Sequence, residues 1–208
     1  MKNIVVLVSG GGTNLQALID AQKSGKITGG KITCVISSNP NAYALTRAAD
    51  NNIPTEVIRR KDYAAFEEYD QALTALLQEK QADLVVLAGF MTILGSQVIS
   101  NFRNRIINIH PALIPSFCGE GYYGLRVHEE ALKKCVKVTG ATAHFVNEVC
   151  DGGPIIIQRA VAVENGDTPE ILQRRVMEQA EWHILPEAVN LFCNDKIKVI
   201  DNKTEILD

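Results

Sequence analysis

The chain has no Cys-x-x-Cys pair, no basic run longer than three residues and no apolar stretch approaching the length of a membrane span. Each absence removes a class of function. The five cysteines (Cys34, Cys118, Cys135, Cys150, Cys193) are scattered and odd in number. They form neither a disulfide framework nor a zinc-ligand pattern, and read as free thiols in a reducing compartment. The formal net charge of −3 is nearly balanced, which argues against a dedicated nucleic-acid or membrane-surface binder. The apolar run near the start, Ile4 to Val8, stops at three glycines with no small-residue cleavage site after it. It is not read as a signal peptide. Linkers, repeats and low-complexity segments are missing as well. What remains is a cytoplasmic protein without a metal site. Its 46% hydrophobic content is enough for one sizeable core, and a single domain over residues 1–208 is expected.

Ile4-Val5-Val6-Leu7-Val8 is an unbroken apolar run, as expected of a parallel strand covered on both faces. Ser9-Gly10-Gly11-Gly12-Thr13-Asn14 follows, and Leu15, Leu18 and Ile19 then fall at helical spacing. Strand, glycine loop and helix aim free backbone N–H groups and a positive helix end at an anion. The loop lacks a Gly-Lys-Ser/Thr ending, so it is not a Walker loop. The third glycine of the dinucleotide fingerprint would fall at Leu15. The second strand, Ile32 to Ile36, ends in Ser37-Ser38-Asn39 with no acid to take a ribose hydroxyl. A single phosphate on a small substrate fits better than a dinucleotide, with a ligand-free glycine turn as the alternative.

Downstream, Ala42 to Asn51 reads as a short helix and Ile53 to Val57 as an edge strand that tolerates Pro54. Phe66, Tyr69, Leu73, Leu76 and Leu77 mark the apolar stripe of a longer helix ending near Lys80. Leu84 to Ala88 is a second unbroken apolar strand, followed by Gly89-Phe90-Met91-Thr92-Ile93-Leu94. Apolar residues where a loop is normally polar suit either a cap on the core or the wall of a pocket for a flat, partly apolar ligand. In Arg105-Ile106-Ile107-Asn108-Ile109-His110-Pro111, alternation puts Asn108 and His110 on one face and Ile107 and Ile109 on the other. Pro111 ends that strand at its carboxyl edge. Burying an amide or an imidazole unpaired costs about 2–7 kcal/mol, so both need partners.

This order of elements predicts an α/β fold: a mostly parallel twisted sheet with helices on both faces. The N-terminal half is expected to be Rossmann-like, with an antiparallel strand in the C-terminal half. Ligands of such sheets sit outside the carboxyl ends of the strands. The glycine loop, the segment Phe90 to Leu94 and the Asn108/His110 pair all lie at such ends. Beyond Pro115, Ser116 to Gly124 is rich in glycine and tyrosine and reads as a mobile loop before a helix from about Leu125 to Lys134. Thr139 to Val146 and Pro154 to Val163 are expected to close the sheet, joined by a tight hairpin-like turn from Asn147 to Gly153. Asp151, before two glycines, reads as a turn former, and His144 as a structural strand residue. Thr168 and Pro169 suit the N-cap and N1 of the last long helix, with a bend expected before Pro186. Lys196 to Ile200 is expected as a final short strand.

Five segments taken together resemble the phosphoribosylglycinamide formyltransferase family. They are Ser-Gly-Gly-Gly-Thr-Asn-Leu-Gln (9–16), Leu-Ala-Gly-Phe-Met (87–91), Asn-Ile-His-Pro-Ala-Leu-Ile-Pro (108–115), Gly-Ala-Thr-Ala-His-Phe-Val (140–146) and Asp-Gly-Gly-Pro-Ile (151–155). The resemblance runs in register from Lys2 to about Ile197. Its Asn-x-His-Pro and Asp-Gly-Gly elements belong to a wider formyltransferase superfamily, and the first loop is the narrower signal for a phosphoribosyl substrate.

The resemblance implies transfer of a formyl group from 10-formyltetrahydrofolate, as co-substrate, to the amine of glycinamide ribonucleotide in purine synthesis. It implies that Asn108, His110 and Asp151 are the catalytic trio and that Gly12, Thr13 and Asn14 hold the substrate phosphate. Glu181 would contact the glycinamide end. Met91, Thr92, Ile93, Leu94, Asn108, Val146, Val149 and Cys150 would line the folate pocket. Residues 1–100 would form the phosphate-binding half and 101–208 the folate and catalytic half. No metal is implied, the partners are small molecules, and the protein is expected to be a monomer or weak homodimer. In this scheme Asp151 raises the pKa of His110 so that a protonated imidazole can donate to the oxyanion.

Three departures from the family stand out. Phe66 occupies a position where many relatives carry a folate-contacting arginine, with Arg59, Arg60 or Lys61 available in its place. The Ser116–Gly124 loop is longer than in the shorter members. Trp182 replaces a residue that is often histidine, and one extra residue precedes the Glu181-Trp182 pair. A methionyl-tRNA formyltransferase would need a further C-terminal domain and a basic surface. A formyltetrahydrofolate hydrolase would carry an extra N-terminal domain, and a non-catalytic nucleotide-binding module would need Asn108 and His110 to be structural.

Overall fold

The structure, a computed structural model, describes residues 1–207. Its centre is a seven-stranded sheet in the order β3-β2-β1-β4-β5-β6-β7. The strands are β1 (Lys2–Val8), β2 (Gly30–Ser37), β3 (Thr55–Val57), β4 (Leu84–Leu87), β5 (Ile106–His110), β6 (Val138–Phe145) and β7 (Ile155–Ala162). β3 through β5 pair in parallel, whereas β6 runs antiparallel to both of its neighbours. The parallel sheet expected of the first half and the antiparallel strand expected of the second are therefore both present. The order reverses at β1, which sits between β2 and β4, and in such sheets the reversal is where ligands bind, beyond the carboxyl ends of the strands.

Alternation along each strand feeds two apolar layers. Ile4, Val6, Val8, Ile107 and Ile109 pack with α1 (Thr13–Lys23), α2 (Tyr43–Asp50), α6 (Pro169–Val176) and α7 (Trp182–Cys193) on one face. Val5, Leu7, Val85 and Ile106 pack with α3 (Phe66–Glu79) and α4 (Ser96–Asn101) on the other. The runs Ile4 to Val8 and Leu84 to Leu87 are buried throughout because helices cover both sides.

Some elements differ from the expected ones. The connection from β6 to β7 is not a tight hairpin; it runs from Val146 to Pro154 and folds back over the sheet edge. That path requires glycine: a Cβ at Gly153 would meet the Phe145 carbonyl oxygen at 1.8 Å. The last long helix is interrupted before Pro186, not by the proline but by a π-helical turn at Met177–Glu181. A π turn absorbs one additional residue in a helix, as the extra residue expected ahead of Glu181 would require. Pro186 lies inside α7. α4 was not expected, nor was β9 (Lys203–Ile206), which pairs with β8 (Ile197–Ile200) in a separate hairpin. Thr168 does cap α6, accepting from the Ile171 N–H at 3.3 Å, with Pro169 at its first turn. No helix of the described residues is long and apolar enough to cross a membrane.

Candidate active site

The carboxyl end of β5 carries Asn108 and His110 on the face opposite Ile107 and Ile109, as the alternation requires. β6 pairs with it so that His144 lies opposite Asn108 and Thr142 opposite His110. Cross-strand partners share a face, so this register delivers a third polar side chain to the same spot. His144 donates its Nδ1–H to the Phe145 carbonyl (2.8 Å), which leaves Nε2 to accept an Asn108 amide N–H at 3.2 Å. The amide is thereby oriented, with its second N–H left for another acceptor.

Asp151 arrives from the β6–β7 connection, in the left-handed conformation with φ 54°. It is both the turn former expected from its glycines and a buried carboxylate. Oδ2 accepts from the Gly119 N–H at 2.9 Å and lies 3.5 Å from His110 Nδ1, and Oδ1 lies 3.6 Å from His144 Nε2. His110 donates its Nε2–H to the Phe117 carbonyl at 2.8 Å. Asn108, His110, His144 and Asp151 thus form one cluster, roofed by the loop that carries Phe117 and Gly119.

The charge state of His110 corrects the expected scheme. Burial pulls its pKa below the ordinary value, and the opposing influence of Asp151 does not overcome it. For Asp151, burial pushes upward, but the contacts with His144 and His110 and the Gly119 N–H together hold the carboxyl below its ordinary range. At 3.5 Å the pair is too far apart for a normal hydrogen bond. Burial therefore governs His110, which is neutral at rest, whereas its contacts govern Asp151, which is ionised.

At the carboxyl end of β1, Gly12 is the N-cap of α1 with φ 73°, and no side chain caps this helix. A Cβ at Gly12 would meet Ala44 Cβ at 2.7 Å, so only glycine fits. The first-turn N–H groups of α1 thus lack a side-chain cap, the condition under which a helix end can take an anion. Thr13 Oγ1 lies 3.7 Å from Met177 Sδ. Asn14 turns its side chain to Glu181, donating to Oε2 at 2.6 Å with both residues buried. Burial pushes the Glu181 carboxyl up to about 7 despite that bond. The π turn is what presents Glu181 to Asn14. The Ser9 hydroxyl accepts from the Met91 N–H at 2.9 Å and ties the glycine loop to the segment after β4.

Along that segment Met91 and Ile93 are exposed, Thr92 is half-buried and Leu94 is buried. On the connection from β6 to β7, Val149 and Cys150 are exposed, and Val146 packs partly into the core. Leu94 and Glu148 line one groove of about 360 Å³ together with Phe66. Arg59 is paired with Asp62, whereas the Arg60 guanidinium lies 5.8 Å over the Phe66 ring. A larger cavity, about 710 Å³ between α1 and α7, meets these residues only at Thr13 and does not include the cluster. No group of three or more His, Cys, Asp or Glu side chains among the described residues is arranged to hold a metal. His144 was missed by sequence reading as a member of the cluster; its only signal is its register opposite Asn108.

Residues 2–189 match the family model described as formyl transferase. The chain belongs to the formyl transferase family. A phosphoribosylglycinamide formyltransferase from Haemophilus influenzae is 42% identical over 97% of this chain and 92% of its own length. The crystal structure of glycinamide ribonucleotide transformylase 1 from Symbiobacterium toebii superposes with a TM-score of 0.94 at 41% identity, covering 100% of this chain and 95% of that one. A formyltetrahydrofolate deformylase from Pseudomonas syringae superposes with a TM-score of 0.85 at 30% identity, and this chain covers 66% of it. Proteins named as formyltransferases and one named as a deformylase are therefore both similar to this chain, and the formyltransferases named here share more of its residues and length.

Proposed function

We propose that the protein transfers the formyl group of 10-formyltetrahydrofolate to the amine of glycinamide ribonucleotide, giving formylglycinamide ribonucleotide and tetrahydrofolate. The observation that carries this reading is the gathering of Asn108, His110 and Asp151 at the sheet edge that also bears the uncapped helix end after Gly12. Family membership and the full-length likeness to the formyltransferases named above support it.

In this reading Gly12, Thr13 and Asn14 offer backbone N–H groups to the phosphate, and Glu181 fixes the glycinamide end. Met91, Thr92, Ile93 and Leu94, facing Val146, Val149 and Cys150, take the folate ring. Arg60, beside Phe66, is positioned for the folate's carboxylate tail. The division of labour between residues 1–100 and 101–208 follows, except that the folate wall draws on both. The ribonucleotide amine attacks the formyl carbon, and the carbonyl electron pair moves to oxygen. Asn108 and His110 donate to that oxyanion. Its growing charge strengthens the hydrogen bond from the Nε2–H of the neutral His110, which keeps its single proton throughout. Asp151 accepts the proton released by the amine and returns it to N10 of the folate as the C–N10 bond breaks. Small molecules are the partners, the cytoplasm is the setting its free thiols suit, and a monomer or weak homodimer suffices.

Asp151→Asn tests the roles. The amide keeps an acceptor for the Gly119 N–H but cannot take a proton. Turnover is expected to fall on the order of 10²–10⁴-fold, with the KM for ribonucleotide nearly unchanged. Steady-state kinetics showing undiminished turnover would remove Asp151 from the mechanism.

A further inference from the structure

Cys118 and Cys150 stand on two separate loops that meet at Asp151, and the transfer step uses neither thiol as a reacting group. Cys118 immediately precedes Gly119, whose N–H donates to Asp151 Oδ2 at 2.9 Å. Cys150 immediately precedes Asp151, and its Sγ lies 3.9 Å from the same oxygen. One carboxylate oxygen therefore touches both the backbone that carries Cys118 and the thiol of Cys150. Cys150 is exposed and Cys118 half-buried, while Cys34 and Cys193 are sealed in the core and Cys135 is exposed. Gly119 and Gly121 hold positive φ, and a Cβ at Gly119 would meet nothing within 4 Å. The Cys118 thiol rests on the Pro115 carbonyl at 3.3 Å, and the open backbone beside it is what a shift to the Cα separation of about 4.4–6.8 Å needed for a disulfide would use.

We propose that Cys118 and Cys150 form a reversible disulfide that clamps the 116–124 loop onto Asp151 and switches the enzyme off. Formation proceeds by exchange with a low-molecular-weight disulfide. The thiolate of one cysteine attacks it, giving a mixed disulfide and releasing one small thiol. The other cysteine's thiolate then attacks the bound protein sulfur and displaces the second. Two protein thiols are oxidised, one small disulfide is reduced to two thiols, and the two protons end on the departing sulfurs. The bond makes two resting contacts permanent, the Phe117 carbonyl on His110 Nε2 and the Gly119 N–H on Asp151. His110 then has no free N–H for the oxyanion. Burial, followed by the Asp151 carboxylate, holds both thiols above their ordinary pKa. Exchange is accordingly slow at neutral pH and quickens as pH rises, so the bond answers sustained oxidation.

The inactivation rests on the transfer reading above, whereas the bond itself does not, and the two are read separately. The full-length reduced protein is incubated with oxidised glutathione at mildly alkaline pH. It is then digested without reductant for peptide mass mapping and assayed for formyl transfer. The expected result is a Cys118–Cys150 cross-linked peptide, two hydrogens lighter than the sum of its parts. Activity is expected to fall in proportion to the cross-linked fraction and to return with dithiothreitol. Cys118→Ser is expected to keep its basal activity and resist the oxidant, while Cys135→Ser responds like the parent chain. Glutathione adducts without the cross-link, activity loss in Cys118→Ser equal to the parent's, or full activity in the cross-linked protein would overturn the proposal.

Discussion

Two buried ionisable side chains outside the catalytic trio set opposing pH slopes. Glu181 is 5% exposed, and burial raises its carboxyl from an ordinary 4.5 to about 7. Between those values the native state holds a proton that the unfolded chain has lost, so this contribution to stability declines as pH rises through about 7. His128, on α5 (Leu125–Lys133), is fully buried with neither ring nitrogen hydrogen-bonded, and burial lowers it from 6.5 to about 4. There the unfolded state holds the extra proton, and stability is lost as pH falls from about 6.5 towards 4. The two slopes oppose each other in the parent chain. Glu181→Gln is expected to unmask the histidine slope, with thermal midpoints that climb more steeply from acid to neutral pH. Midpoint profiles that stay parallel would show that Glu181 does not carry the raised proton affinity. The same contrast shows what was legible at this scale. Strand alternation alone places Asn108 and His110 on one face, since the two-residue period leaves no freedom. The charge of His110 was not legible, because burial by Phe117, Gly119 and the β6 register outweighs Asp151 and depends on residues distant in sequence.

Among elements, long apolar runs and helix stripes were readable, and short ones were not. α4 spans only Ser96–Asn101 and has too few turns to show a periodic apolar face. Its start is fixed from outside: the Asp70 carboxylate on α3 accepts from the Gln97 and Val98 N–H groups at 2.8 and 3.2 Å. A Cβ at Gly95 would meet that carboxylate at 2.1 Å, so the contact also dictates the glycine. No pattern within residues 90–101 announces a cap supplied from another helix. Asp70→Ala is expected to cost about 1–2 kcal/mol of stability, as for loss of a helix cap. A urea midpoint that does not move would contradict the capping role. The π turn was half-visible: the resemblance implies an extra residue ahead of Glu181, but a bulge that turns Glu181 towards Asn14 follows only from packing between α1 and α7.

For the whole molecule, the order of strands decides where chemistry is possible. Because β1 lies between β2 and β4, the glycine loop and the segment after β4 lie at adjacent carboxyl ends, and β5 brings its polar pair to the neighbouring carboxyl end. That these features share the carboxyl edge followed from alternating strands and helices; the strand order did not. The fold-back of Val146–Pro154, which carries Asp151 over that edge, did not, because it depends on the close approach of Gly153 to the Phe145 carbonyl. The central claim is that this edge directs a formyl group to an amine and not to water. The direct measurement uses 10-formyltetrahydrofolate labelled with carbon-13 in the formyl group, mixed with the protein and glycinamide ribonucleotide and followed by NMR. The account predicts label appearing in the formamide of formylglycinamide ribonucleotide, in step with tetrahydrofolate and only when the ribonucleotide is present. Label collecting as free formate, with or without the ribonucleotide, would contradict it.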